Sequence, residues 1–113
     1  MPFDAGLACR LQAMFGHLPE LVETRMFGGF GYLHQGNMCV GIYYDSLILR
    51  VGVAAAESLG REEHVGPMDI TGKPMKGWVK VAAEGTTEDD ALARYCRYAL
   101  NFVATLPAKK PAR

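Results

Sequence analysis

The chain lacks a thiol pair. Its three cysteines, Cys9, Cys39 and Cys96, are odd in number and widely spaced, with no CxxC among them. That pattern argues against a disulfide-stapled secreted scaffold and fits a reducing compartment, where thiols pack as small apolar groups. The chain also lacks net charge: Lys+Arg and Asp+Glu are both 12. Phosphate binding draws on clustered cations, so this balance argues against a nucleic-acid binder that relies on bulk charge, and against a polybasic membrane anchor. No apolar run approaches the ~18 residues of a membrane span. Met1-Pro2-Phe3-Asp4 carries an early acid and no apolar core, so a secretory signal is not expected. The expectation is a soluble cytoplasmic protein.

What is present suffices for one ordinary domain. The chain has 113 residues and is 50% apolar, enough to bury a core without a staple. Leu7, Leu11, Met14, Phe15 and Leu18 recur at helical spacing, predicting an amphipathic helix over residues 4–17. Asp4 stands at the N-cap, Gly16 at the stop, and Pro19 forbids continuation. Residues 24–51 read as three short strands. The first carries Arg25-Met26-Phe27 through Gly28-Gly29 into Phe30-Gly31-Tyr32-Leu33, the second is Met38 to Tyr43, and the third Leu47 to Val51. The turn signals between them are Gln35-Gly36-Asn37 and Asp45-Ser46. Short gaps imply hairpins and an antiparallel sheet.

A short helix follows over Val53–Leu59, ended by Gly60, and then a polar loop over residues 61–66. Met68-Asp69-Ile70 and Trp78-Val79-Lys80-Val81, joined through Thr71-Gly72-Lys73-Pro74, read as a second hairpin. Trp78 and Lys80 sort onto one face, Val79 and Val81 onto the other. The last helix is capped by Thr87, with Glu88, Asp89 and Asp90 at the positive end of its dipole. Its stripe is Leu92, Cys96, Ala99, Val103 and Leu106, widened by Tyr95 and Phe102, and Pro107 ends it. Residues 108–113 form a basic tail expected to fray. The order α-β-β-β-α-β-β-α predicts an α+β two-layer domain, a mostly antiparallel sheet with flanking helices, over residues 1–107.

Motifs that would carry chemistry are weak. Gly28-Gly29-Phe30-Gly31 is not GxGxxG and is followed by strand, whereas a phosphate cradle needs a helix there; the pattern reads as a bulge or a sharply bent strand. Gly66 and Gly72 are separated by five residues instead of the P-loop's four, and Pro74 replaces the magnesium-binding Ser or Thr. His17, His34 and His64 lie in three separate loops without metal-ligand spacing. Cys96 falls on an apolar stripe, where desolvation makes a poor nucleophile, and Cys39 fits no pattern. Glu62-Glu63 and Glu88-Asp89-Asp90 read as solvated surface and helix capping. Lys73, Lys76 and Lys80 surround Trp78, an arrangement that can bind single-stranded nucleic acid but that reads first as a charged hairpin with a half-buried Trp.

Two segments resemble a known family. Arg25-Met26-Phe27-Gly28-Gly29-Phe30-Gly31, then Gly36-Asn37-Met38, then Asp45-Ser46-Leu47-Ile48-Leu49-Arg50 is similar to the N-terminal domain of the TfoX (Sxy) competence regulators. That family reads R-M-F-G-G-x-G, a G-x-M turn, and D-x-L-Y-L-K; here Ile48 replaces the aromatic and Arg50 the lysine. Residues 68–79, Met68-Asp69-Ile70-Thr71-Gly72-Lys73-Pro74-Met75-Lys76-Gly77-Trp78-Val79, resemble a version found in short, stand-alone members. The resemblance implies bacterial origin and a secretion-chaperone-like topology. It also implies a role in promoting competence genes with the cyclic-AMP receptor protein, one carried in the longer members together with a helical second domain. It supplies no catalytic residues and implies no cofactor or metal.

These readings converge on a non-enzymatic regulatory module that binds a protein partner, such as the transcription machinery, and that pairs with itself through an edge strand. Its candidate binding residues are Arg25, Phe27, Gly28, Gly29, Gly31, Tyr32, Lys73, Lys76 and Trp78, with Tyr43 and Tyr44 as added contact area. The alternative is a small-molecule binder or unrecognised enzyme with a pocket near Arg25, Tyr32 and Tyr43, in which Arg25 clamps a carboxylate or phosphate. Against it stands a structural Arg25 paired with Glu20 or Glu23.

Overall fold

The computed structural model describes residues 4–26, 29–68 and 76–107. The first helix, α1, spans Ala5–Phe15. The Asp4 carboxylate starts it by accepting from the amides of Gly6 and Leu7, at 2.8 and 3.2 Å. Leu7, Leu11 and Phe15 are buried and Gly16 is the C-cap, as the spacing predicts; Ala8 joins the buried stripe, while Met14 and Leu18 are half-buried against it.

Four strands follow where three are expected: β1 (Leu21–Met26), β2 (Gly29–His34), β3 (Asn37–Tyr43) and β4 (Ser46–Arg50). The run read as one bent strand is a hairpin, with Arg25 opposite Phe30 and Met26 opposite Gly29. Phe27 and Gly28, which join its arms, lie outside the described residues. The sequence hides the reversal because Gly28-Gly29 reads equally as a bend within one continuous strand. Gln35 and Gly36, at φ 50° and 84°, close β2 onto β3 as a type I′ turn.

After β4 come α2 (Val53–Leu59), β5 (Val65–Pro67), β6 (Trp78–Val81), a 3-10 turn (Ala83–Thr86) and α3 (Asp89–Val103). The six strands form one antiparallel sheet in the order β1-β2-β3-β4-β6-β5. The domain is therefore α+β, with helices and strand blocks in the order expected.

Three boundaries move. α3 ends at Val103 with Ala104 as its C-cap, short of the expected stop at Pro107. An outer strand of the second hairpin forms at residues 65–67, ahead of the expected Met68-Asp69-Ile70, because Val65 and Pro67 pair with Val81 and Val79. Met68 is buried just beyond it, and residues 69–75 lie outside the described residues. The N-cap of α3 is Glu88, not Thr87. Thr87 is instead the C-cap of the 3-10 turn, and its hydroxyl donates to the Glu84 carbonyl at 3.4 Å. Asp89 and Asp90 still fill the first turn of α3, where the helix dipole favours them.

Strand register sorts the core. Phe30, Tyr32, Val40, Ile42, Leu47, Leu49, Val79 and Val81 align across the sheet on one face. They join Leu7, Leu11 and Phe15 of α1 and Leu92, Cys96, Ala99 and Val103 of α3 in a single buried cluster. A bulge places Cys39 in that core: Tyr32 pairs with Val40 but Leu33 with Met38, so Cys39 has no partner on β2 and is wholly buried.

Candidate functional site

The residues singled out in sequence do not form one site. Arg25 is exposed on β1, its guanidinium 5.9 Å from the Phe30 ring centroid. Tyr32 is interior, edge-on to Phe15 and Phe30 at 5.5 and 5.7 Å between centroids. Among the described residues its hydroxyl has no hydrogen-bond partner. Burial raises its pKa, and the charge of Glu23, its cross-strand neighbour, raises it further. Tyr43 follows Ile42 onto the opposite face and packs against Tyr44 at 4.6 Å. Arg25, Tyr32 and Tyr43 therefore do not converge. Phe27, Gly28 and Lys73 lie outside the described residues.

The glycines of the motif have a packing role that this geometry makes explicit. Gly29 pairs with Met26 at the start of β2, and Gly31 stands directly opposite Gly41 of β3. A Cβ on Gly31 would fall 2.5 Å from the Val40 carbonyl oxygen and 2.7 Å from the Met38 methyl. A Cβ on Gly41 would meet the same methyl at 2.7 Å. Met38 thus lies across the two glycines on the sheet face opposite the core, so the glycine run and the G-x-M turn are halves of one contact.

At the other end of the sheet, Trp78 of β6 stands opposite Arg50 of β4. The Gly77 carbonyl accepts from the amides of Val51 and Gly52 at 2.9 and 3.0 Å, which pins the start of β6 to the entry of α2. There the chain forms an open groove of about 340 Å³ between α2 and α3, lined by Val51, Val53, Ala54, Tyr98, Asn101 and Phe102 among others. Two of its lining residues are large and exposed, Val53 at 63% and Tyr98 at 37%. Gly52 forms the floor at φ 87°, and the Phe102 ring reaches within 2.7 Å of where its Cβ would stand. Arg50 links Trp78 to this wall: its guanidinium is 5.9 Å from the ring centroids of both Trp78 and Phe102. The available sequence signal was Tyr98 and Phe102, four apart on α3 and off the clean stripe.

Two of the three thiols are buried and Glu62 is paired. Burial pushes the Cys39 and Cys96 thiols up to about 12, which removes them as nucleophiles at neutral pH. Cys9 is exposed. Glu62 is held by Arg94, which donates from Nη1 at 3.2 Å and also from Nη2, and by the Tyr95 hydroxyl at 3.3 Å. The Arg94 hydrogen bonds draw the Glu62 carboxyl below the usual carboxylate range. A lowered folded-state pKa stabilises above the unfolded value of about 4.3, and that stability is lost as pH falls through the folded value. Glu62 is 35% exposed, so solvent screening limits the effect to about 0.5–1 kcal/mol. Chemical denaturation should show Glu62→Gln less stable than wild type by that amount at pH 7, with the gap narrowing as pH falls below the unfolded value of about 4.3. A gap that does not change with pH would assign the effect to packing instead of charge.

Among the described residues no helix is long and apolar enough to cross a membrane, and no cluster of three or more His, Cys, Asp or Glu is placed to hold a metal. The model of the TfoX N-terminal domain family matches residues 13–103. The chain belongs to that family. The match takes in every strand of this TfoX N-terminal domain, the α2–α3 groove and all of α3. No curated protein and no solved structure matches it.

Proposed function

We propose that the chain is a regulatory protein-interaction module that works without catalysis, docking a segment of a transcription-machinery protein against the groove between α2 and α3. The observation that supports this reading is the exposure of Val53 and Tyr98 at one concave, mainly apolar surface. Exposed apolar side chains grouped in a groove mark contact surfaces, and Tyr is among the side chains enriched in interface cores. Arg50, stacked between Trp78 and Phe102, gives the rim a cation that favours a partner with an acid beside its apolar anchor. Membership of a family of competence-regulator domains is consistent with it. The zero formal charge weighs against direct nucleic-acid binding.

A photo-crosslinking amino acid at Val53 tests the reading in the native host. The expected product is one discrete adduct with a transcription-machinery subunit, reduced about ten-fold by Tyr98→Ala, the loss expected for one truncated aromatic anchor. Absence of such an adduct, or an adduct indifferent to Tyr98→Ala, overturns the reading. In that case a metabolite thermal-shift screen addresses the small-molecule alternative.

A further inference from the structure

β1 is an outer strand: among the described residues it pairs with β2 alone, so its other edge presents amides and carbonyls on which a further strand can add. Its six residues include no proline and no glycine. Among the described residues, the only backbone hydrogen bond of β1 outside that pairing is from the Leu21 amide to the Leu18 carbonyl at 3.2 Å. The opposite edge is different, since β5 has three residues and ends in Pro67, which offers no amide.

The sequence of β1, Leu21-Val22-Glu23-Thr24-Arg25-Met26, sets a small neutral residue between an acid and a base. Glu23 and Arg25 are both exposed and share the helix-bearing face of the sheet. Glu23 is steadied by Gln12, whose side-chain amide donates to it at 3.1 Å, and Arg25 by the Phe30 ring. When two copies of a strand pair antiparallel, directly opposed residues must point to the same face, which limits the symmetric registers to those centred on a residue. Centred on Glu23, the pairing opposes two acids. Centred on Arg25, it opposes two bases. Centred on Thr24, it opposes Glu23 to Arg25 of the other copy twice, an arrangement favoured across antiparallel strands. On the other face the same register brings residue 26 of the second copy against Val22, which is 59% exposed.

We propose that β1 pairs antiparallel with β1 of a second copy of this chain about a two-fold axis through Thr24, joining the two sheets into one. The interface is isologous, so each Glu23–Arg25 pair occurs twice. It goes beyond the docking reading and does not use the α2–α3 groove, which lies toward the β4–β6 end of the sheet.

Sedimentation velocity across a concentration series tests it, with circular dichroism to confirm that each variant is folded. Wild type is expected to dimerise. E23R opposes Arg to Arg25, and R25E opposes Glu to Glu23, so each should weaken the dimer about ten-fold or more. The double variant E23R/R25E restores opposite charges and should dimerise again. An equimolar mixture of the E23R and R25E proteins should form a heterodimer, because their edges complement each other. Tyr98→Ala should dimerise as wild type does, which separates this interface from the groove. A monomeric wild type, single variants that dimerise normally, or a double variant that fails to recover would each overturn the proposal.

Discussion

Gly31→Ala is expected to destabilise the domain by about 3 kcal/mol, measured by chemical denaturation against wild type. The new methyl would enter a space closed on two sides: the Val40 carbonyl oxygen at 2.5 Å is backbone within a paired strand, and the Met38 methyl at 2.7 Å lies across it. A side chain tip can rotate away, but the Val40 carbonyl cannot retreat without separating β2 from β3. Gly41→Ala is the control. Its closest obstacle is the mobile Met38 methyl at 2.7 Å, and the nearest backbone atom, the Phe30 oxygen, is 3.3 Å away. It should therefore cost about 1 kcal/mol, and adding Met38→Ala should recover part of that loss while recovering little for Gly31→Ala. Equal losses at the two glycines would show that the strands yield and that the backbone contact is not decisive.

Phe15→Ala is expected to cost about 3–4 kcal/mol, within the range for emptying a large aromatic site. Phe15 is 3% exposed at the last turn of α1 and meets the Tyr32 ring edge-on at 5.5 Å. Tyr32 in turn meets Phe30, so the three rings attach α1 to the β1–β2 end of the sheet. Such aromatic pairs add about 0.5–1.5 kcal/mol beyond their buried area. Thermal and urea unfolding of Phe15→Ala, Tyr32→Leu and the double variant should show a coupling of that order. A loss below about 1 kcal/mol for Phe15→Ala would mean that α1 contributes little to global stability and opens independently of the sheet.

Local chemistry was legible wherever one residue type decides one event. Asp4 starting α1, the Gln35-Gly36 turn, the alternation of Trp78-Val79-Lys80-Val81 and the buried stripe of α3 are each determined within a few residues. Each rests on capping geometry, positive φ or periodicity, which need no knowledge of distant chain. The family pattern was readable for the same reason, since its residues stand at fixed short spacings.

The errors share a different cause. The reversal between β1 and β2 is not legible because an outer strand with Glu23 and Arg25 exposed has no alternation to mark its end, and only the pairing with β2 separates the two arms. Thr87 loses the cap because a 3-10 turn forms ahead of it. Cys39 could not be placed from its neighbours, since a bulge, defined by two strands together, turns it into the core. Gly31 looked like a bend and proved to be one side of a contact whose other side, Gly41 and Met38, comes from β3.

The sequence by itself determined the α+β class, the family and the starts and stops of α1 and α2, because those follow from short-range sterics and from which side chains avoid water. Only the tertiary structure decided which candidate residues lie together. It separated Arg25 from Trp78 by the width of the sheet, buried Tyr32, and assembled a groove from Val53 and the Tyr98–Phe102 pair, which are far apart in sequence. Proximity across strands and helices is set by register and packing, and neither is written in any single stretch of chain.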